Sequence, residues 1–203
     1  MTQRDGILFV VSAPSGAGKT SLCKAVTDST ENLTHSISYT TRQPRPGEID
    51  GRDYYFVSGE RFREMVDAGD FAEHAQVHSN HYGTSKRVLD QMVAEGTDVI
   101  LDIDTEGARQ IRQHYATAVF LFIMPPSMGI LEERLRNRRS DREEEIRKRM
   151  MRARDEIRDY ALYDYIIVNR DFDRALTELR SIVTAERCRT KLIRSGWIDE
   201  LLR

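Results

Sequence analysis

The chain is poor in several features that would point to particular classes of protein. Its 203 residues include only two cysteines, Cys23 and Cys188, which lie too far apart to form a metal-binding or redox motif. No apolar run approaches the length that crosses a bilayer, and the polar residues 1–6 lead into a strand rather than a signal peptide. The net charge of −2 gives no broad positive surface for nucleic acid. We therefore expect a soluble cytoplasmic protein with reduced thiols, and neither nucleic acid nor membrane among its partners.

The residues that are abundant suit a globular α/β protein. Hydrophobic residues make up 39% and charged residues 32% of the chain, which is long enough for one core with a small inserted lobe. Predicted strands at 7–13, 98–104, 118–124 and 165–169 alternate with predicted helices at 19–30, 85–95, 105–114 and 171–193. This alternation, with the nearly continuous apolar run at 118–124, predicts a doubly wound parallel sheet.

Residues 35–85 have a different sequence pattern. They contain short β-prone pieces separated by turn residues, at 35–41, 53–58, 71–78 and 82–85. One helix is predicted at 58–68, with Ser58 as its N-cap. We predict a small β-rich lobe inserted into the α/β core.

The segment 127–158 is helical and rich in arginine. A break falls near 137–141, where four residues predict a capping box that restarts the helix: Ser140, Asp141, Arg142 and Glu143. The tail at 195–203, which carries Trp197, predicts a short surface helix. The resulting division is a core at 1–34, 86–126 and 159–203, a lobe at 35–85 and a helical segment at 127–158.

The most informative motif is a glycine-rich turn between a predicted strand and a predicted helix. It reads Ala13-Pro14-Ser15-Gly16-Ala17-Gly18-Lys19-Thr20. Backbone N–H groups of such a turn and the helix N-terminus hold phosphates. Lys19 adds a positive charge at the β- and γ-phosphates, and Thr20 offers a hydroxyl to Mg²⁺. Ala13 replaces the first glycine of the usual pattern, and an ordinary turn before a helix is the alternative.

A phosphate loop does not reveal what accepts the phosphoryl group, but a proline-flanked pair of arginines is informative. Arg42 and Arg45 lie three residues apart beside Pro44 and Pro46, and form a plausible anion clamp. Tyr54 offers a phenolic donor nearby. The alternative is a polar turn with two solvated arginines, because surface arginines are common.

Glu73 is a carboxylate in a half-apolar, β-prone segment, and it is suited to reading a base. Guanine presents two adjacent N–H donors to one carboxylate, and its O6 accepts from a hydroxyl such as that of Ser38 or Thr84. Adenine would leave the carboxylate unpaired, which costs about 1–3 kcal/mol or more. A zinc site is the alternative, made of His74, His78 and His81. In β structure, however, these side chains would not converge as they do on a helix.

The arginine-rich segment offers cations for a transferring phosphoryl group. Arg134 and Arg138 lie four residues apart on one helix face, and Arg149 follows after the break. Arginines that close on the moving phosphoryl group accelerate its transfer. The alternative is a solvated helix whose glutamates neutralise the arginines. We expect only solvated pairs for five others: Arg136, Arg139, Arg142, Arg147 and Arg152.

Two aspartates end the predicted central strand. Asp102 and Asp104 are two residues apart, so they point to the same face of the sheet. At the carboxyl edge of a parallel sheet they would face the ligand crevice. We predict that Asp102 holds Mg²⁺ through water and that Asp104 contacts a polar group of the substrate. The alternative is a cap on the next helix.

Together these motifs resemble guanylate kinase over nearly the whole chain. The matching stretches are 12–22, 38–48, 82–84, 101–104 with Gly107, 125–127, 134–138 and 167–169. The resemblance implies Mg²⁺-dependent transfer of the γ-phosphoryl group of ATP to GMP or dGMP, giving ADP and GDP. It also implies a P-loop core, a GMP-binding lobe and a mobile lid, which correspond to the three segments above.

The resemblance further implies roles for individual residues. GMP contacts fall on Ser38, Arg42, Arg45, Tyr54, Glu73, Tyr82, Gly83, Thr84 and Asp104. ATP contacts fall on residues 13–20, Arg134, Arg138 and Arg149, with Asn169 near the adenine. The chain departs from the family pattern at Thr105, Glu106, Asn137, Arg139 and Arg170. These departures concern the lid loop and the adenine side rather than the residues assigned to the chemistry.

Two other functions stay open at this point. One is a kinase of another small phosphorylated acceptor on the same scaffold, against which Glu73, Ser38 and Thr84 argue. The other is a catalytically silent interaction domain of guanylate kinase type. Such a domain can lose the phosphate-loop lysine and the arginines, which this chain retains. The sequence leaves open whether the protein is a monomer or a homo-oligomer.

Overall fold

The computed structural model describes residues 4–77, 79–137, 142–193 and 196–203. Nine strands lie in this part of the chain: β1 Leu8–Ser12, β2 Leu33–His35, β3 Tyr39–Thr40, β4 Tyr55–Phe56, β5 Phe71–Val77, β6 Asn80–Ser85, β7 Asp98–Asp102, β8 Val119–Met124 and β9 Tyr165–Val168. Eight α-helices accompany them: α1 Lys19–Ser29, α2 Gly59–Asp67, α3 Lys86–Ala94, α4 Thr105–His114, α5 Met128–Asn137, α6 Glu143–Arg158, α7 Phe172–Arg187 and α8 Gly196–Leu201. Within the ranges described, no helix is both long enough and apolar enough to span a membrane.

The core is a five-stranded parallel sheet in the order β2-β7-β1-β8-β9. Successive side chains of β1 point to opposite faces. Phe9 and Val11 therefore pack in one apolar cluster with α1 and α7, while Leu8 and Val10 pack in another with α3 and α4. The predicted doubly wound α/β fold is confirmed, because helices cover both faces of the sheet.

The lobe contains a second sheet, in the order β4-β3-β6-β5. The prediction of one strand over 35–41 was wrong. Leu33–His35 pairs with β7 in the core sheet, whereas Tyr39–Thr40 pairs with β6 in the lobe sheet. An extended, β-prone run indicates backbone shape but not the partner strand, so a change of sheet within such a run is not visible in the sequence.

Turn geometry shortens another predicted strand of the lobe. Tyr55–Phe56 pairs with β3, and Tyr54 makes an isolated bridge with Asp50 of the turn. Asp53 accepts from Ile49 and Asp50 accepts from Phe56, each at 2.8 Å. The last strand of the lobe starts earlier than predicted, at Asn80, and closes a hairpin with β5. Ser58 caps α2 as predicted, accepting from the backbone of Arg61 at 3.0 Å.

The arginine-rich segment forms two helices, α5 and α6, with a small apolar core of their own. Leu131 and Leu135 pack against Ile146 and Ala153. The predicted capping box was wrong in its register, because Glu143 is the first residue of α6 rather than the third, and Arg142 makes no side-chain cap bond. Glu143 instead accepts two bonds from Arg136, at 2.5 and 2.7 Å. Ser140 and Asp141 lie outside the described residues.

The tail forms the predicted short helix, α8, although the side chain of Trp197 lies outside the described part of the structure. The preceding helix ends earlier than predicted, at Arg187, and a 3-10 turn at Thr190–Leu192 follows it.

A buried carboxylate connects the amino-terminal segment to the last long helix. Asp98, fully buried at the start of β7, pairs with Arg4 at 2.6 Å and with Arg187 at 2.7 Å. It also accepts from the backbone of Ile7 at 2.8 Å. We expect Asp98→Ala to lower the free energy of unfolding by about 2–3 kcal/mol, since both arginines lose a buried partner but can turn to solvent.

Urea unfolding measures this effect. The matched control is Asp28→Ala on α1, where an exposed carboxylate pairs with Lys24 and the expected loss is below about 1 kcal/mol. Equal losses in the two variants would contradict the role given to Asp98.

Candidate active site

The phosphate loop connects the carboxyl end of β1 to the amino end of α1, at the edge where doubly wound sheets bind ligands. Gly16 and Gly18 have φ values of 94° and 95°, which a side chain would strain. A Cβ on Gly18 would also lie 2.3 Å from the amide nitrogen of Asn169. Among the described residues other than glycine, only Asn32 has a positive φ. Ala13 therefore needs no glycine-like conformation, and its departure from the usual motif is tolerated.

A cavity of about 460 Å³ lies over this loop. The loop and the start of α1 form one wall, and one face of α6 forms another. The α6 side chains at the cavity are Glu145, Lys148, Arg149, Arg152 and Glu156. Apart from the adjacent Lys148 and Arg149, successive members lie three or four residues apart, which places them on the same side of the helix. The phosphate loop thus faces a row of charged residues of α6.

Lys19 lines this cavity and is held by the end of β7. Its ammonium group pairs with Asp102 and donates to the carbonyl of Ile103 at 2.8 Å. Burial disfavours the charge of Asp102, but Lys19 and a hydrogen bond with Thr20 hold the pKa of that carboxyl below its usual range. Hydroxyl and carboxylate oxygens are ligands that suit Mg²⁺. Thr20 and Asp102 therefore fit the predicted metal.

Asp104 is the N-cap of α4, so the capping alternative describes part of its role. One carboxylate oxygen accepts from the backbone of Gly107 at 2.9 Å. The other accepts from Arg152 at 3.2 Å, and Asp104 lines the cavity. The predicted contact of Asp104 with GMP stays a prediction.

The pair of arginines in the lobe is organised by a carboxylate whose role the sequence did not reveal. Arg42 pairs with Glu48 at 2.8 Å, and Glu48 also accepts from the backbone of Arg45 at 2.7 Å. The hydrogen bond with Glu48 raises the pKa of Arg42. The guanidinium lies 5.3 Å from the ring centre of Tyr54 and within reach of the Tyr82 hydroxyl. The structure thus brings Arg42, Tyr54 and Tyr82 together, while the side chain of Arg45 is exposed.

Glu73 is buried on β5, where it faces Thr84 of β6. The Thr84 hydroxyl donates to one carboxylate oxygen at 2.5 Å. Burial raises the pKa of Glu73 to about 7, with the Thr84 bond and Lys19 opposing this shift and Asp104 adding to it. Ser38 is half-buried before β3, and its carbonyl accepts from Tyr55.

Two residues near Glu73 have roles that the sequence reasoning missed or left open. The Gln110 amide donates to the carbonyl of His74 and accepts from its N–H, both at 3.0 Å, and so holds the strand beside Glu73. No sequence signal marks such a glutamine, because the residue is common on helix surfaces. Gly83 has a packing reason, since a Cβ there would lie 2.9 Å from the ring of Phe71.

Gly107 leaves room for Glu73, and we expect Gly107→Ala to weaken binding at this end of the site. A Cβ at Gly107 would lie 2.9 Å from the second carboxylate oxygen of Glu73, so that carboxylate must move. The KM of the base-bearing acceptor should rise about tenfold, the effect of disturbing one hydrogen-bonded contact. The control is Gly129→Ala, whose Cβ would meet nothing closer than 3.9 Å. An unchanged KM in Gly107→Ala would contradict this reading.

Asn169 connects Arg134 of α5 to the phosphate loop. Arg134 donates to the carbonyl of Asn169 at 2.9 Å, and the Asn169 amide donates to the carbonyl of Ala17 at 2.7 Å. Arg149 lines the cavity and pairs with Glu145 at 3.7 Å. Asn169 is buried and holds the loop, and its predicted place near the adenine stays a prediction. Arg138 lies outside the described residues.

The remaining candidate residues lie on the surface or outside the described ranges. Glu106 pairs with Arg109 at 3.2 Å, and Arg170 is exposed. Arg139 and His78 are outside the described ranges. Within those ranges, no group of three or more His, Cys, Asp or Glu residues is placed to hold a metal ion. His74 is exposed on β5, opposite Gly83.

Comparisons with known proteins agree on one family. A model of the guanylate kinase family matches residues 6–186. The guanylate kinase of Geobacter metallireducens is 55% identical over 188 residues, which are 93% of each chain. That of Escherichia coli strain K12 is 53% identical over 186 residues, 91% of this chain and 90% of the relative. The crystal structure of guanylate kinase from Anaplasma phagocytophilum has a TM-score of 0.80 and 34% identity, and the match covers 100% of this chain and 96% of that one.

Proposed function

This chain belongs to the guanylate kinase family, and from that premise we propose how its cavity transfers the γ-phosphoryl group of ATP to GMP, giving ADP and GDP. The enzyme is a nucleoside monophosphate kinase, a transferase with ATP as its donor. We propose dGMP as a second acceptor. The proposed core, GMP-binding lobe and lid are residues 1–34 with 86–126 and 159–203, residues 35–85, and residues 127–158.

At the donor end, the backbone N–H groups of residues 13–20 and the N-terminus of α1 hold the phosphates of ATP. Lys19 supplies a positive charge at the β- and γ-phosphates. Thr20, and Asp102 through water, would hold the Mg²⁺ that accompanies ATP, which would supply positive charge at the phosphate oxygens. Arg134, Arg138 and Arg149 close on the same phosphates from the lid, with Asn169 towards the adenine.

At the acceptor end, Arg42 and Arg45 bind the phosphate of GMP, with Tyr54 and Tyr82 beside them. Support comes from the Glu48 carboxylate, which holds the Arg42 side chain and the Arg45 backbone at 2.7–2.8 Å. The ionised Glu73 accepts from the two adjacent donors of guanine. Ser38, Gly83 and Thr84 line the base on the same side, and Asp104 completes the acceptor site.

The reaction needs no general base, because the acceptor phosphate is already ionised. Catalysis is then positioning plus stabilisation of the negative charge spread over the moving phosphoryl group. Arg42 and Arg45 hold the acceptor oxygen in line, while Lys19 and the lid arginines neutralise the transferring group. Closure of the lobe and lid excludes water, which would otherwise accept the phosphoryl group.

The observation that carries this proposal is a buried carboxylate beside the first turn of α4, whose N-cap Asp104 lines the cavity over the phosphate loop. Glu73 is 4% exposed and accepts a hydrogen bond from Thr84, and burial raises its pKa to about 7. A coupled assay of ADP release, with ATP, Mg²⁺ and GMP, dGMP, AMP, CMP or UMP, tests it. We expect activity with GMP and dGMP alone. Activity with another acceptor would overturn the base-reading role, and binding of GMP without turnover would favour a silent binding domain.

We also propose a cytoplasmic location, with the chain acting as a monomer or a homo-oligomer. The thiols of Cys23 and Cys188 are both free, one buried and one exposed, which agrees with a reducing compartment. The exposed thiol of Cys188 would otherwise be open to oxidation.

A further inference from the structure

The lid helix α6 reaches the core through a residue that the sequence assigned to a solvated face. Arg152 lines the cavity over the phosphate loop, and its guanidinium donates to Asp104 at 3.2 Å. Its Nε donates to Glu156, one turn further along α6, at 3.0 Å. Arg152 is therefore held between a carboxylate of the core and a carboxylate of the lid. Its side chain is 60% exposed and pairs along its own helix, as expected for a solvated face, but the contact with Asp104 of the core was not foreseen.

We propose that Arg152 is a positioning residue for the transfer reaction: it latches α6 to the amino end of α4 through Asp104, and so seats the cationic face of the lid over the phosphate loop. This proposal rests on the proposed function. The remainder of α6 makes the latch effective, because Arg149 and Lys148 lie on the same face, three and four residues before Arg152.

The carboxylate that receives Arg152 has little freedom to turn away. One oxygen of Asp104 is committed to the backbone N–H of Gly107 as the cap of α4, at 2.9 Å. The cap fixes the plane of the carboxylate and directs the second oxygen to the cavity. A cap thus doubles as a docking point for the lid.

Glu156 orients the arginine from the other side. Its side chain is only 11% exposed, although it carries a carboxylate, and it pairs with Arg152 at 3.0 Å. Burial raises the pKa of Glu156, and the charge of Arg152 opposes that rise. With Nε donating to Glu156, the rigid planar guanidinium presents one terminal nitrogen, Nη2, to Asp104.

The contact between Arg152 and Asp104 connects the proposed acceptor site to the proposed donor site. Asp104 lies at the acceptor end, where its charge is felt by Glu73, and α6 covers the donor phosphates. Losing the latch leaves both binding sites intact but lets the lid face shift from the phosphates. Because a small misplacement of charged groups costs rate and admits water, kcat should fall more than the affinity for either substrate.

The first test compares Arg152→Gln with Arg154→Gln, the same change at an exposed position of the same helix. We expect Arg152→Gln to lower kcat about tenfold with KM for GMP and ATP changed less than about threefold. The share of ATP hydrolysed to ADP and phosphate, relative to ATP used to make GDP, should rise. Arg154→Gln should match the wild type in all of these measurements.

The second test is a double-mutant cycle with Asp104→Asn, which keeps the α4 cap but removes the charge. In the Asp104→Asn background, Arg152→Gln should change kcat by less than about twofold, because its partner charge is already gone. A full tenfold loss in both backgrounds would overturn the latch and leave a merely local effect of Arg152. This coupling is a readout that simple destabilisation of α6 would not produce.

The outcomes separate the latch from the function on which it rests. An active wild type with Arg152→Gln equal to Arg154→Gln would overturn the latch alone. A wild type that does not phosphorylate GMP would overturn the proposed function, and the latch with it. Thermal unfolding of each variant shows that activity is compared between folded proteins.

Discussion

Replacing Lys19 by methionine lowers kcat by about three orders of magnitude or more while the chain stays folded. Methionine keeps the length and the apolar stem of lysine but removes the charge that pairs with Asp102 and faces the phosphate cavity. Phosphoryl transfer depends on positive charge at the β- and γ-phosphates, and a water molecule in place of the ammonium cannot supply it. The change should affect kcat more than the KM of GMP, because Lys19 belongs to the donor end.

The matched control for this prediction is Lys24→Met. Lys24 lies on the same helix, is 75% exposed, and pairs with Asp28, four residues further along. It should leave turnover within about twofold of the wild type, since exposed pairs of this kind contribute little. Circular dichroism and thermal unfolding establish that Lys19→Met is folded. Near-normal turnover in folded Lys19→Met would remove Lys19 from the catalytic machinery.

Replacing Glu73 by glutamine should lower kcat/KM for GMP by about 100-fold to 1,000-fold. Glutamine has the same shape, but it offers one acceptor and one donor where guanine needs two acceptors. One guanine N–H then meets an amide NH₂, and a buried donor is left unpaired. Sites built on hydrogen bonds discriminate at this level against a mismatched partner. The KM of ATP should stay close to its wild-type value.

The control is Glu64→Gln, an exposed glutamate of the same lobe that pairs with Arg61. It should bind GMP as the wild type does. The pH dependence adds a second readout: only the ionised Glu73 accepts both donors, so wild-type affinity for GMP should rise as pH increases through about 7. Glu73→Gln should lose this rise. If Glu73→Gln keeps wild-type affinity and the same pH dependence, Glu73 does not read the base.

The same ionisation has a consequence for stability, with a definite sign. Burial raises the pKa of Glu73 from the model-compound value of 4.5 to about 7, so between these values the folded chain holds a proton that the unfolded chain has lost. The contribution of Glu73 to stability is therefore present below about pH 4.5 and is lost as pH rises through about 7. The ionised form of Glu73 therefore lowers the stability of the free protein. In the proposed complex, the two N–H donors of guanine pair with this charge.

The sequence by itself determined the class of fold and the identity of most candidate site residues. Apolar runs of strand length that alternate with amphipathic helices bury their apolar faces best in a parallel sheet covered by helices on both faces. The phosphate loop is equally local, because the strand, the glycines and the following helix are adjacent in the chain. Gly16 and Gly18 adopt the left-handed backbone conformation that glycine favours in such a turn.

Only the tertiary structure decided which side chains become hydrogen-bond partners. Glu48 holding Arg42, Gln110 holding His74 and Asp104 holding Arg152 join positions up to 48 residues apart in the sequence. Side chains of these types are also common on solvated surfaces. The residue type therefore does not predict which partner the side chain contacts. Likewise, the β-propensity of residues 35–41 predicted extended backbone. It did not predict that the chain passes from the core sheet to the lobe sheet there, because strand pairing is set by packing and register across the whole fold.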